Sequence, residues 1–431
     1  MSEERILIIS HGHPDFSLGG GEVAAHLQWK ELRRRGVETK LVARVADSPG
    51  HIGAPFFFRS ADGMEVLFSP PPVNHFKHSQ PHRRVVYEDF RALLERFQPT
   101  VVHFHHYVHL GLEMIREVRK YSRDTFIALT FHEFLAICNA NGQMRKTNGA
   151  LCQKAAPLDC HLCFPSYSPQ EFFLRELFVK SFLALVDVFV CPSQFLRDRY
   201  VAWGLPAAKM KVLENGQPQQ HAAVREAPSD RTFETRFLVL GQLSRRKGTH
   251  IVLDAVRLLP KRLRKLVHIE IHGFVPDEGD GFMAEIQDAL KELDGCVRLY
   301  GTYRSQDLGE IIRRNGWLIV PSIWWENSPV VIQEALAYGR PILCSNIGGM
   351  AEKVTPGVSG FHFRVNNTAD LAALIEECAS SPDVWKRMCA GLPQPPTIDQ
   401  TVDCLLELYR CKQAPQAAPV GDAQHVRKGD S

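Results

Sequence analysis

The sequence predicts an α/β protein of two doubly wound, Rossmann-like domains that face each other across a cleft. Three observations carry that prediction. At 431 residues the chain is too long for one ordinary core and suits two domains. Short apolar runs alternate with helical patterns in both halves, the arrangement of parallel sheets wrapped by helices. Between the halves, residues 217–233 are polar, proline-bearing and aperiodic, and read as a linker.

Taken in order, the first half (1–216) offers strands at 5–10, 39–44, 100–105, 125–131, 186–191 and 210–214. Helical patterns lie between them, at about 22–35, 86–97, 109–121, 168–185 and 193–203. The second half (234–392) restarts with strands at 237–241, 267–273, 296–300, 317–320 and 341–344. A last helix within 393–411 precedes a tail, 412–431, too polar and proline-rich to join a core. In doubly wound sheets ligands sit beyond the carboxyl ends of the strands, and the polar motifs of this chain fall there.

Composition excludes several classes. Hydrophobic content of 45% and charged content of 23% are those of a soluble globular protein. A net charge of +3, from 51 basic and 48 acidic residues, is too balanced to suggest a nucleic-acid partner. The most apolar run, 182–190, carries Asp187 and is half the length of a membrane span. The start, MSEERILIIS, does not read as a signal peptide, and with eleven cysteines it predicts reduced thiols in the cytoplasm. Residues 28–35, QWKELRRR, are either a solvated helix face or a contact with the inner face of an anionic membrane.

The most informative stretch is 321–352, PSIWWENSPVVIQEALAYGRPILCSNIGGMAE. It follows the apolar run 317–320. Ser328 is a good N-cap and Pro329 a good first helical residue, which leaves the Val330 and Val331 amides free at a helix start. Such a start is a ready anion site. Glu326 lies in the loop beside it, and Glu334 lies about 7.5 Å further along the axis at about 1.5 Å per residue. Alone, the two glutamates also fit a plain solvated helix start. Together with the anion site they suit a sugar, a diphosphate and a ribose.

Glu326, seven residues, then Glu334, with Gly348-Gly349 and Glu352 behind, resembles the donor-site signature of retaining glycosyltransferases of the GT-B fold, family 4. The flanking Pro321-Ser322, Ser328-Pro329, Gly339 and Pro341 fit the same pattern. The resemblance implies a nucleotide diphosphate sugar donor on the second domain, with Glu334 on the ribose and Glu326 on the sugar hydroxyls. It implies that Lys247, in FLVLGQLSRRKG (237–248), holds the diphosphate. The family's usual arginine falls at Gln242, so either Arg245 or Arg246 supplies that charge or the leaving group is held less well.

In the first domain, HGHPDFSLGGGE resembles the family's Gly-Gly-x-Glu loop, which would place Gly19, Gly20 and Gly21 along the cleft. His132, in Thr130-Phe131-His132, matches a histidine that faces the anomeric centre in this family. His105 and His106 end the preceding strand and are second-rank, on the acceptor side or packed beneath the site. No catalytic metal is implied. A glycan or lipid-linked acceptor and a place in cell-surface polysaccharide assembly are implied. The alternatives are a non-catalytic relative that binds nucleotide sugar, for which Gln242 is the best argument, and an epimerase or glycoside phosphorylase of the same fold.

One signal lies outside that pattern. Cys138, Cys152, Cys160 and Cys163, with His161 to spare, have spacings open to a structural zinc site, to unrelated thiols or to one redox pair. Asp277-Glu278-Gly279-Asp280 reads as a surface loop.

Overall fold

A computed structural model describes residues 4–17, 19–45, 55–69, 71–218, 233–274, 281–293 and 295–410. Most of the expected linker, the 277–280 loop and the tail lie outside the described residues.

The first half forms β1 (Arg5–Ser10), β2 (Glu38–Arg44), β3 (Phe56–Phe58), β4 (Glu65–Phe68), β5 (Val101–Phe104), β6 (Phe126–Thr130), β7 (Val188–Cys191) and β8 (Met210–Val212). They make one sheet in the order β3-β4-β2-β1-β5-β6-β7-β8, parallel except for β3 at the edge. The second half forms β9 (Arg236–Leu240), β10 (His268–His272), β11 (Val297–Gly301), β12 (Trp317–Val320), β13 (Ile342–Ser345) and β14 (Gly360–Phe363). These give a parallel sheet in the order β11-β10-β9-β12-β13-β14. Continuous apolar strands such as Leu7-Ile8-Ile9 and Leu318-Ile319-Val320 are buried because helices cover both faces of each sheet.

Three strands were not anticipated. β3, β4 and β14 are only three or four residues long, too short for an apolar run to mark them. β3 pairs with β4, β4 with β2 and β14 with β13, so these short strands gain their hydrogen bonds from strands nearby in the chain.

The last helix, Ile398–Arg410, returns to the first sheet. Ile398, Val402, Leu405, Leu406 and Tyr409 share a core with Ile6, Ile8, Ala25, Leu32 and Leu41. The chain therefore passes between the sheets twice, and the passages lie side by side: the Gln217 amide donates to the Pro396 carbonyl at 2.9 Å and the Ile398 amide to the Gln217 carbonyl at 2.8 Å.

This return corrects the membrane expectation for residues 28–35. Gln28 is buried, and the Arg35 guanidinium bonds Glu31, Asp399 and Asp403 while Arg34 reaches Glu31 and Asp399. The arginines hold the last helix. Among the described residues no helix is long and apolar enough to cross a membrane.

Candidate active site

The second-half side of the site is built by two loops that leave adjacent strands, since β9 pairs directly with β12. The Ile323 amide donates to the Arg246 carbonyl at 2.9 Å. Gly248 stands at φ +75°, where a Cβ would meet the Pro321 carbonyl oxygen at 2.0 Å, so only glycine allows this approach. The loops then bring Lys247 onto Glu326, Nζ to Oε1, at 2.6 Å. The same Oε1 accepts from Ser322 Oγ at 2.7 Å and Trp324 Nε1 at 2.9 Å. Three donors on one oxygen fix the carboxylate and leave Oε2 without a protein partner among the described residues. That oxygen is the one available to a ligand.

The same loops separate the two arginines. Arg245 turns outward to Glu285, at 2.6 Å, and lies over the Phe282 ring. Arg246 donates to Gln242 Oε1 at 2.7 Å. A guanidinium thus stands against the residue that replaces the family's arginine.

The helix Val330–Ala337 starts one residue later than expected. Pro329 is the N-cap and no side chain caps the helix. Ser328, expected in that role, donates instead to Glu214 Oε1 across the cleft at 2.7 Å and accepts from Gln333 Nε2. The hydroxyl's proton goes to a carboxylate of the first half, and its oxygen accepts from Gln333 rather than from a local amide. The cap is left open, and among the described residues neither the Val330 nor the Val331 amide finds a protein acceptor. Further along, Glu334 has no protein donor on its carboxylate among the described residues, and desolvation pushes its carboxyl up to about 7.

The first-half wall stands close. A Cβ on Gly20 would lie 3.1 Å from Val330 Cγ2, and one on Gly21 would lie 3.2 Å from the His11 and His132 rings. Side chains there would crowd the helix start and the histidine. Glu22 holds the loop by accepting from Ser17 Oγ at 2.8 Å and by approaching His11 Nε2 at 3.3 Å.

Behind His132 runs a buried polar chain. His132 Nε2 lies 3.1 Å from His105 Nδ1, His105 Nε2 lies 2.7 Å from Gln28 Oε1, and Gln28 Nε2 reaches His103 Nδ1 and the Tyr409 hydroxyl. Burial first, and neighbouring histidines second, hold His105 and His132 well below the usual imidazole range, so both are neutral near pH 7. With the Gln28 oxygen toward it, His105 donates from Nε2 and accepts at Nδ1. His132 then carries its proton on Nε2 and offers Nδ1 as an acceptor. His105 therefore supports His132, whereas His106 turns to Glu133 at 3.1 Å. Gln28 and Tyr409 were not legible as site residues: Gln28 meets His105 only once the helix Gly20–Arg34 packs on the sheet, and Tyr409 arrives on the returned last helix.

Glu352 also crosses the cleft. Its two carboxylate oxygens accept from the Gln194 and Phe195 amides at 2.9 and 2.8 Å, at the start of the helix Gln194–Ala202. Lys353 binds Glu214 and the Pro192 carbonyl beside it, and Asn327 Nδ2 reaches the His132 carbonyl at 3.3 Å. A carboxylate on a helix start is worth about 0.5–2 kcal/mol. If this contact holds the cleft closed on the donor, Glu352→Ala raises the donor KM on the order of tenfold with a smaller change in kcat. Steady-state kinetics check this; an unchanged KM would show that the contact does not govern closure.

The zinc expectation is corrected. Among the described residues, three ligand atoms converge only at His13, His26 and Glu65, so Cys138, Cys152, Cys160 and Cys163 do not form a metal cage. Burial raises Cys138 and Cys152 and pushes Cys160 up to about 11, so these remain thiols near pH 7. The insertion is held otherwise, by hairpin bonds between 144–146 and 150–152 and by the Trp325 indole, which donates to the Cys152 carbonyl at 3.0 Å. At the His13 cluster a cation is already in place: Arg59 lies 3.1 Å from both His13 ring nitrogens and 3.2 Å from Glu65.

Two parallel sheets with an open helix start, a pinned carboxylate and a histidine facing each other define a protein of the GT-B class. The family patterns agree. "Glycosyltransferase Family 4" matches residues 18–218 and "Glycosyl transferases group 1" matches residues 223–389. The chain belongs to the family 4 glycosyltransferases. It is 26% identical over 233 residues to the D-inositol 3-phosphate glycosyltransferase of Nocardiopsis dassonvillei, covering 52% of this chain and 53% of that one. It is 29% identical over 193 residues to the lipopolysaccharide 1,2-N-acetylglucosaminetransferase of Salmonella typhimurium, covering 42% of this chain and 50% of that one. The chain thus spans about half the length of these relatives. Among solved structures it is similar in fold to Anabaena HepE in complex with UDP, with TM-score 0.64 and 16% identity over 94% of this chain and 100% of that one. It is also similar to sucrose-phosphate synthase from Thermosynechococcus elongatus, with TM-score 0.65 and 16% identity over 96% of this chain and 100% of that one.

Proposed function

We propose that the chain is a retaining, metal-independent glycosyltransferase that moves a sugar from a nucleotide diphosphate sugar to a hydroxyl acceptor. The observation that carries this reading is the Glu326 carboxylate, pinned by Lys247, Ser322 and Trp324 beside the open Val330–Val331 amides. In this reading Glu334 takes the ribose hydroxyls. Lys247, Arg246 and the two amides hold the departing diphosphate, where charge develops. Glu326 Oε2 holds the sugar hydroxyls, and His132 Nδ1 accepts from the transferred sugar. The family's motifs place no carboxylate as a covalent nucleophile, so in this reading retention follows a front-face route in which the leaving phosphate oxygen takes the acceptor's proton.

The acceptor is a glycan or lipid-linked hydroxyl of cell-surface polysaccharide assembly, and the setting is cytoplasmic; the similarity to a lipopolysaccharide glycosyltransferase supports this. The Arg246–Gln242 bond favours catalysis over mere binding, because it keeps a cation where the family has one. Arg246→Ala is expected to reduce transfer by about 10²-fold, whereas Arg245→Ala, at the surface, leaves it near wild type. A nucleotide-sugar panel read by melting temperature and slow donor hydrolysis tests the whole reading. Binding with no turnover of any donor would favour the non-catalytic alternative, and a shift with no donor would reject both.

A further inference from the structure

We propose that the carboxyl end of β2 binds an acceptor phosphate, borne by a sugar or by a lipid, between Arg44 and His109. This rests on the transfer reading for what docks beside His132.

Arg44 is the last residue of β2, at the ligand edge of the sheet. Its Nε is buried without a partner, and the side chain makes no ion pair among the described residues. Such a group carries an unmet desolvation cost that an anion would relieve. Among the described residues its terminal nitrogens have no bond either, and they are not enclosed as Nε is.

His11 follows the paired residues Ser10 and Ala43, which sets it beside Arg44, and its Nδ1 is also buried without a partner. His109 is held in the left-handed region at φ +69°, a conformation that costs energy in a residue with a side chain, and its ring lies 6.1 Å from that of His75. The groups acting on His109 are Arg44, His106, His11 and His75, with no carboxylate among them. Among the described residues, Glu22 accepts from Ser17 and lies against His11, and Glu133 Oε1 lies against His106. A guanidinium fork with imidazoles on one wall suits a phosphate with its several acceptor oxygens.

The place also distinguishes this anion from the donor's. Adjacent strands β2, β1, β5 and β6 bring Arg44, His11, His106 and His132 to one edge in that order. Three strand spacings put Arg44 about 14 Å from the His132 strand, at about 4.8 Å per spacing. Lys247 and the helix start at Val330 lie on the other sheet.

The test uses protein saturated with UDP, so that the donor's diphosphate site is filled. Inorganic phosphate should then show phosphorus-NMR line broadening in the wild type. Arg44→Gln should weaken that binding by at least about tenfold, and Arg44→Lys, which keeps the charge but loses the fork, should fall between. Both variants should keep the rise in melting temperature with UDP, which shows that the fold and the donor half are intact. Phosphatidylcholine vesicles carrying a polyprenyl phosphate, sedimented with the same proteins, separate the sources. Arg44-dependent sedimentation assigns the phosphate to a lipid, and Arg44-dependent binding of inorganic phosphate and a sugar phosphate in solution alone assigns it to a soluble acceptor. Binding of phosphate that ignores Arg44, or no binding in either arm, overturns the proposal. Failure of UDP to raise the melting temperature would instead count against the donor reading, and the phosphate titration would still report on Arg44.

Discussion

Lys247→Ala should lower transfer by about 10²–10³-fold while leaving the melting temperature close to wild type. In the proposed mechanism the ammonium neutralises the diphosphate as it leaves, an interaction stronger in the transition state than in the bound donor. Its contribution to stability is small, because the Lys247 side chain is 33% exposed and its ion pair is screened. Glu326→Ala should be as severe for transfer but costlier to the fold, by about 1–3 kcal/mol, since it strands the buried Ser322 hydroxyl and the Trp324 indole. Because Lys247 and Glu326 touch, the double variant should lose less than the sum of the two. Single-turnover rates and thermal melts check the set. Near-normal transfer in Lys247→Ala would remove the assignment.

Glu334→Gln should abolish tight donor binding and, at the same time, stabilise the protein above pH 7. Folded Glu334 holds its proton up to about 7, whereas a free carboxyl releases it near 4.5. The folded state thus binds more protons between those values, and stability falls as pH rises through that window. The loss is complete above it and on the order of 3 kcal/mol. Glutamine removes the penalty, so the variant's melting temperature should exceed wild type at pH 8 and match it below pH 4.5. In the proposed reading ribose hydroxyls bond the charged form, so wild-type donor affinity should rise from pH 6 to pH 8 with release of a proton. The glutamine variant should show a weak, flat profile. Calorimetry in two buffers reads the proton directly, and a flat wild-type profile would contradict Glu334 as the ribose ligand.

Much of this site could be read from the chain because it rests on local chemistry. A strand followed by a helix start, with Glu326 and Glu334 at fixed positions around it, is defined within about twenty residues. Gly20 and Gly21 are legible for the same reason. What could not be read depends largely on partners more than a hundred residues away. Ser328 looks like a helix cap until Glu214 is brought to it. The arginines of residues 28–35 look available to a membrane until Asp399 and Asp403 of the returning helix meet them. The four cysteines have permissive spacings for zinc, but spacing does not set where their sulfurs point.

The sequence by itself determined that there are two α/β halves, which strands and helix start carry the polar residues, and that the chain departs from its family at Gln242. Apolar periodicity and backbone chemistry are properties of short segments, so they survive in one dimension. Only the tertiary structure decided that Arg246 rather than Arg245 turns to Gln242, that Gln28 and Tyr409 stand behind His132, and that Arg44 has no counter-charge among the described residues. Those outcomes depend on which desolvated groups find partners, and packing across the two sheets settles that.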